Sequence, residues 1–355
     1  MTVTGVAQLD AFRRGLVPDV ERLRPGLWSI PVPIPDSPLL YVNVYAFELI
    51  DGVALIDAGW PAVEAWDGLV GGLEHIGFAV TDVRSVLVTH VHADHYGLAA
   101  RVRVESGAWV GVHEADAAML ERLGSHIPNG QQHQWLRARG APQADIAAAL
   151  SPPPDADTYF SMEPPDRFIA HGDRPLAPTW DLTAVWTPGH TPGHLCFHLP
   201  GHRFLLSGDH VLPAITPHIG AVVRHADSLQ DNPLDSYLDS LDRVSELDVD
   251  EILPAHQYRF RGLWSRTQAV RDHHVERLSS IASIVAEHQG VTTWTVASLG
   301  SWSRPWATMT GLTKRAAVGE TFAHLLSLEA AGRVTRAPGD IDVWLGAGSH
   351  QPWPR

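Results

Sequence analysis

The chain reads as an α/β protein carrying a helical insertion and a small, mostly α C-terminal region. Three observations predict this. Short apolar runs such as Val86-Leu87-Val88, Leu195 to Leu199 and Phe204 to Leu206 have strand length and end in polar loops. They alternate with helical stretches, and this strand-and-helix pattern runs twice. Between the two runs, residues 113–168 break the pattern with helical and proline-rich sequence.

Taken in order, residues 1–25 predict a helical lead-in that ends at Arg24-Pro25-Gly26. Strands follow at Leu27 to Val32 and Leu39 to Leu49, with a proline-marked turn between them. Asp51-Gly52 is a tight hairpin signal before Val53 to Ile56, and Asp57-Ala58-Gly59 closes that strand. Pro61 to Ile76 reads as a helix with proline in its first turn. Val83 to Val88 is a strand, Tyr96 to Ser106 a helix and Trp109 to Val112 a strand.

Within the insertion, Glu114 to Leu123 and Gln131 to Leu150 predict helices, and Pro152-Pro153-Pro154 cannot continue one. Strands resume at Leu182 to Trp186, Leu195 to Leu199 and Phe204 to Leu206. A helix over Pro233 to Leu247 precedes a last short strand, Glu251 to Leu253. A long helix from Arg266 to Glu287 ends at Gly290. This predicts a catalytic domain over 1–262 and a C-terminal domain over 263–355.

Composition narrows the function. Of 355 residues, 45% are hydrophobic and 19% charged, the profile of a globular chain. Lys and Arg total 26 against 40 Asp and Glu, a formal charge of −14 that disfavours a general nucleic-acid or anionic-membrane binder. No signal peptide is visible, and no apolar run approaches the ~20 residues that span a bilayer. The lone Cys196 excludes an intrachain disulfide. A cytoplasmic location is the expectation.

The chemistry is concentrated in His90-Val91-His92-Ala93-Asp94-His95, directly after an apolar strand. In extended chain His90 and His92 point the same way, because side chains alternate with a period of two. Asp94 and His95 lie beyond the bend and can face a second point. Imidazole plus carboxylate suits zinc, with Mn2+ or Fe2+ as alternatives. Three later strand ends offer further donors: His190 and His194 in Thr187-Pro188-Gly189-His190-Thr191-Pro192-Gly193-His194, Asp209 in Ser207-Gly208-Asp209, and His256 in Leu253-Pro254-Ala255-His256. His190 lies nearer its strand and is the better ligand, whereas His194 packs or hydrogen-bonds nearby. Asp209 follows a strand and a glycine and can bridge two cations. Asp57 can orient a ligand from behind. Together these residues make the donor set of a two-metal site.

These motifs resemble the metallo-β-lactamase-fold hydrolase superfamily, over roughly residues 27–262. The resemblance implies an αββα sandwich with two zinc ions at one edge of its sheets. It assigns His90, His92 and His190 to one metal and Asp94, His95 and His256 to the other, with Asp209 bridging. Ala255 stands where many relatives carry glycine, which alters only backbone freedom beside the ligand. Asp209 disfavours β-lactamase activity, because the true β-lactamase classes lack a bridging aspartate. His92 stands where flavin-linked di-iron relatives carry glutamate. Glyoxalase II-like thioesterases, lactonases and phosphodiesterases or ribonucleases remain.

The expected activity is hydrolysis of a small-molecule thioester or lactone by a metal-activated hydroxide, with Asp94 as a proton acceptor or relay. A phosphodiesterase or ribonuclease is the alternative enzyme, and a non-catalytic binding module the alternative from another class. Tyr258, Arg259 and Arg261 are candidates for substrate contact, since arginine forks suit carboxylate or phosphate. Trp135, Tyr159, Phe160, Met162 and Phe168 line a pocket or form the insertion's own core. The C-terminal region resembles a winged-helix-like tail, with helices over Thr293 to Leu299 and Ala316 to Ala330. Its wing would pair Arg333 to Arg336 with Ile341 to Leu345. Packing, homodimerisation or closure of the substrate cleft suits it better than nucleic-acid binding, despite Arg304, Lys314, Arg315, Arg333 and Arg336.

Overall fold

The computed structural model describes residues 1–124, 129–150, 162–220, 232–337 and 339–347. They fall into two compact units. One holds the described residues of 1–124, 155–217 and 240–267, the other those of 125–154, 218–239 and 268–355. This division differs from a single cut near residue 262, since the helices at 129–150 group with the C-terminal chain. Among the described residues, no helix is long and apolar enough to cross a membrane.

The first unit is built on two sheets. A seven-stranded sheet runs in chain order through β2 (Glu21–Arg24), β3 (Leu27–Pro33), β4 (Tyr41–Leu49), β5 (Gly52–Ile56), β6 (Val83–Leu87), β7 (Trp109–Val112) and β8 (Arg167–Phe168). A six-stranded sheet has the order β1-β13-β12-β11-β10-β9. Its strands are β1 (Thr2–Val3), β9 (Thr183–Trp186), β10 (Leu195–Leu199), β11 (Phe204–Gly208), β12 (Glu251–Pro254) and β13 (Phe260–Arg261).

Alternation along β4 explains the layering. Tyr45 and Phe47 point into a core shared with Leu195, Phe197, Phe204, Leu206 and Leu253 of the other sheet. Val42, Val44 and Ala46 point the opposite way, where Ala65, Leu69 and Leu73 of the helix Val63–His75 cover them with Ala99 and Val102. On the six-stranded side, Ser240 and Arg243 of the helix Pro233–Ser245 donate to the carbonyls of Pro188 and Trp186. The result is an αββα sandwich whose outer layers are helical.

The lead-in differs from the expectation. Only Val6–Arg13 is helical; Gly15, at a left-handed φ of 69°, ends it, and Glu21–Arg24 pairs antiparallel with β3. The predicted helix over 131–150 is two helices, Asn129–Ala138 and Gln143–Leu150, separated at Gly140-Ala141-Pro142.

In the second unit, the helix Leu263–Glu287 contributes Val270, His274, Leu278, Ile281 and Val285 to the interior, a helical repeat of three and four. The helix Gly311–Ala330 buries ten residues. Trp135 and Ala141 pack with Trp294, Ala297, Val318, Trp302 and Trp306. Strands β14 (Val291–Thr292), β15 (Val334–Ala337) and β16 (Val343–Gly346) form a small antiparallel sheet with β16 in the centre.

Candidate metal centre

Four strand ends deliver the ligand-type side chains. His90 leaves β6, His92 precedes the helical turn Ala93–Tyr96 that carries Asp94 and His95, and His190 lies between β9 and β10. Asp209 follows β11, and His256 follows β12. Strands β11 and β12 run parallel, so their C-terminal ends place Asp209 and His256 on the same edge.

The first cluster is a triangle of nitrogens. His90 Nε2 lies 2.9 Å from His92 Nδ1, and His190 Nε2 lies 3.2 Å and 3.1 Å from those two atoms. A tetrahedral zinc with bonds of about 2.0–2.1 Å needs ligand atoms about 3.3 Å apart. Three imidazole nitrogens facing each other at this spacing fit a cation better than mutual hydrogen bonds, because a neutral imidazole has only one donor.

The second cluster mixes charge. His256 Nε2 stands 3.2 Å from Asp94 Oδ2, and His95 Nε2 stands 3.7 Å from it. Asp209 Oδ1 lies 3.3 Å from His256 Nε2 and 3.6 Å from His95 Nε2, while its Oδ2 faces His190 Nε2 at 3.6 Å. One carboxylate therefore turns an oxygen to each cluster. His95 Nε2, His256 Nε2 and Asp209 Oδ1 are buried with no hydrogen-bond partner among the described residues. Buried polar atoms of this kind are costly without a partner, and all three converge on one point. The residues fit a divalent cation at each cluster.

The outer ring atoms are anchored. His95 Nδ1–H donates to Asp57 Oδ2 at 2.8 Å, and His256 Nδ1–H donates to the Tyr41 carbonyl at 3.0 Å. The Thr89 hydroxyl donates to Asp57 and lies 3.0 Å from His90 Nδ1, so it can accept that ring's proton. These partners leave the Nε2 atoms facing inward. Asp57 also accepts the Thr89 N–H at 2.7 Å and has a left-handed φ of 65°, a strained conformation for a non-glycine residue. His194 Nε2 accepts the Asp209 N–H at 3.2 Å while its Nδ1 meets Thr187 Oγ1 at 2.8 Å. Asp57 and His194 thus hold the ligand-type residues His95 and Asp209 from behind. Gly208, at φ 50°, has room for no Cβ: one would lie 2.7 Å from the His194 ring.

Electrostatics differ between the clusters. Burial, reinforced by neighbouring imidazoles, holds His90 well below the usual histidine range and His92 down at about 3. Both are therefore neutral and ready to ligate at pH 7. Burial also opposes charge on His95, but Asp94, Asp57 and Asp209 outweigh it and push the ring up to about 10. His256 is likewise raised against its burial by Asp209 and Asp94. Asp94 would be raised by burial, yet His95 and His256 hold it well below the carboxylate range. The second cluster thus concentrates a field that favours positive charge.

The family follows from this arrangement and from sequence. Residues 37–256 match the model of the metallo-beta-lactamase superfamily. The chain belongs to that superfamily. An acyl-coenzyme A thioesterase from Gallus gallus is 30% identical over 177 residues, 48% of this chain and 55% of that protein. A hydroxyacylglutathione hydrolase from Rhizobium meliloti (strain 1021) is 26% identical over 141 residues, 40% and 38% of the two chains. The chain spans about half the length of the curated relatives it matches. A metallo-beta-lactamase family protein from Thermus thermophilus superposes with a TM-score of 0.76 at 27% identity, covering 92% of this chain and all of that one.

The proposed substrate contacts fare differently. Arg259 is buried and its guanidinium pairs with Glu21 and Glu251, so it is committed to joining strands and not to binding substrate. Arg261 is exposed in β13, paired across to Thr2 of β1. Tyr258 is buried, and among the described residues it makes no hydrogen bond to a ligand side chain. Of the insertion's aromatic set, Trp135 packs in the second unit, Met162 lies against the outer core of the seven-stranded sheet, and Phe168 is 65% exposed. Tyr159 and Phe160 lie outside the described residues.

Residues without a ligand-like spacing also matter. The Tyr45 hydroxyl and Asn43 side chain donate to the Pro254 carbonyl, at 2.8 Å and 3.2 Å, and Asn43 N–H donates to Ala255 at 2.7 Å. They fasten the His256 loop across the two sheets. Asp116 accepts hydrogen bonds from both the His90–His92 and the His190 loops. The sequence signal for it is slight: an acidic residue in the first turn of a helix after β7.

Proposed function

We propose that the protein is a dinuclear zinc-dependent hydrolase of an acyl ester bond, with a small-molecule thioester as its foremost substrate and a lactone as the related alternative. The observation that carries the two-metal reading is Asp209, whose two oxygens face different clusters. The thioester preference is supported by relatives named for thioester hydrolysis at 30% and 26% identity. The same carboxylate argues against a β-lactam substrate.

Bound divalent cations would supply Lewis acidity and a nucleophile derived from water at neutral pH. His90, His92 and His190 would hold one, and Asp94, His95 and His256 the other, with Asp209 between them. Asp94 keeps 15% of its side chain exposed at the cluster, so it would meet the water directly and pass a proton from it to the leaving group. Water adds its oxygen to the acyl carbon, the carbon–sulfur bond breaks, and the sulfur takes that proton and leaves as the thiol. Cys196 takes no part, because burial pushes its thiol up to about 12.

A nuclease reading gains little from the C-terminal unit. Lys314 pairs with Asp145 at 2.6 Å, Arg315 donates to Gln132, and Arg336 faces Glu329 and Asp342. The deciding experiment is turnover by zinc-loaded protein of acyl-CoA and acyl-glutathione thioesters, an acyl lactone, a phosphodiester and single-stranded RNA, with His92→Ala as control. Cleavage of a thioester or lactone that His92→Ala abolishes is the expected result. Cleavage of RNA or the phosphodiester alone would overturn the acyl-ester reading, and no metal-dependent turnover would favour a binding module.

A further inference from the structure

Behind the ligand loops lies a carboxylate that belongs to neither cluster. Asp116, in the helix Glu114–Gly124, is fully buried. Its Oδ2 accepts the Val91 N–H at 3.1 Å and the Thr191 hydroxyl at 2.8 Å, and its Oδ1 accepts the Gly193 N–H at 2.6 Å. Val91 stands between His90 and His92, and Thr191 follows His190. One side chain therefore ties a loop of the seven-stranded sheet to a loop of the six-stranded sheet. Those two loops are the ones that supply the nitrogen triangle.

The fit is tight on both sides. A Cβ on Gly193 would lie 2.5 Å from Asp116 N and 2.8 Å from its Cβ and Cγ, so only glycine lets this backbone reach the carboxylate. Burying a carboxylate among neutral donors is costly unless each oxygen is well satisfied, and here three donors converge on it. The 2.9–3.2 Å spacing within the triangle depends on how the two loops are set against each other. Asp94, His95 and His256 share no hydrogen bond with Asp116; His95 is anchored on Asp57 and His256 on the Tyr41 carbonyl.

We propose that Asp116 is a positioning residue that fixes the spacing of the His90/His92/His190 site and so sets the metal affinity of that site separately from its neighbour's. The inference rests on the two-metal reading above. Its test is zinc binding by the full chain, measured by equilibrium dialysis with a competing chelator. The visible spectrum of cobalt(II)-loaded protein identifies which site fills.

Wild-type protein is expected to bind two ions; binding of none would fail the metal reading itself, before any variant is compared. Asp116→Asn places a donor amide where an N–H or hydroxyl must be accepted. It is expected to keep one tight site and to weaken the three-histidine site about 10- to 100-fold, the range for losing a partner that orients a ligand. Thr191→Val removes one of the three donors and should weaken the same site less. Unchanged affinities in Asp116→Asn, or equal weakening of both sites in a folded variant, would overturn the proposal. If Asp116→Asn does not fold, Thr191→Val decides: selective weakening supports the assignment, and two unchanged sites reject it.

Discussion

Each unit contains fully buried histidines, and the two groups are chemically opposite. In the sandwich, His90, His95 and His256 are 0% exposed; in the second unit His274 is 2% and His324 0% exposed. The sandwich rings are held from behind by Thr89, Asp57 and the Tyr41 carbonyl, so their inner nitrogens converge beside two carboxylates. In the second unit His274 Nδ1 meets His324 Nε2 at 3.2 Å, and His324 Nδ1–H donates to the Glu320 carbonyl at 2.7 Å. The carboxylate of Glu320 is paired with Arg277 at 3.0 Å. One group therefore aims its inner nitrogens at a common point, and the other pairs two ring nitrogens with each other, leaving His274 Nε2 buried with no hydrogen-bond partner among the described residues. Burial and histidine count do not distinguish a ligand from a packed ring; the direction of the anchoring hydrogen bond does.

The largest effect should come from removing the residue shared by both clusters. Asp209→Ala is expected to lower turnover by at least about a thousand-fold, because the Lewis-acid contribution amounts to several kcal/mol. Steady-state kinetics on the preferred ester would measure it. A variant within about tenfold of wild type would erase the distinction between aimed and packed rings.

A smaller effect should follow from loosening an anchor. Asp57→Ala frees the His95 ring and removes an acceptor from Thr89, so zinc affinity should fall about 10- to 100-fold. Chelator competition would detect this. Unchanged affinity would mean that packing alone orients these rings.

The packed pair makes a prediction in pH. Burial, with help from neighbouring cationic groups, holds His274 down at about 2 and His324 down at about 4, against about 6.5 for a free ring. Below pH 6.5 the unfolded chain then binds more protons than the folded one, so stability rises with pH in that window. The contribution is complete above about pH 6.5 and fades as the pH falls towards 4. Calorimetric unfolding of the second unit should show this slope, and a His274→Gln/His324→Gln variant should flatten it. Parallel pH profiles for the two proteins would remove the pair from the account.

Much of the sandwich is legible in the chain because its signals are local. Val86-Leu87-Val88 announces a buried strand, and His90, His92, Asp94 and His95 follow directly after it. The same logic marks His190, Asp209 and His256, each a short step beyond an apolar run. Arg259 shows where such reading stops: its proximity in sequence to His256 suggested a substrate contact, but Glu21, 238 residues away, claims its guanidinium. Asp116 gives only a slight signal for the mirror reason, since its partners at Val91, Thr191 and Gly193 lie 25 to 77 residues off.

The amino-acid sequence alone determined the fold class, the strand ends and the set of side chains able to hold metal, because period-two patterning and ligand spacing act over a few residues. Tertiary structure decided which nitrogen of each ring faces inward, that one oxygen of Asp209 turns to each cluster, and that Trp135 of the insertion packs with Trp294 and Val318. Those outcomes depend on hydrogen bonds and packing between segments that only the folded chain brings together.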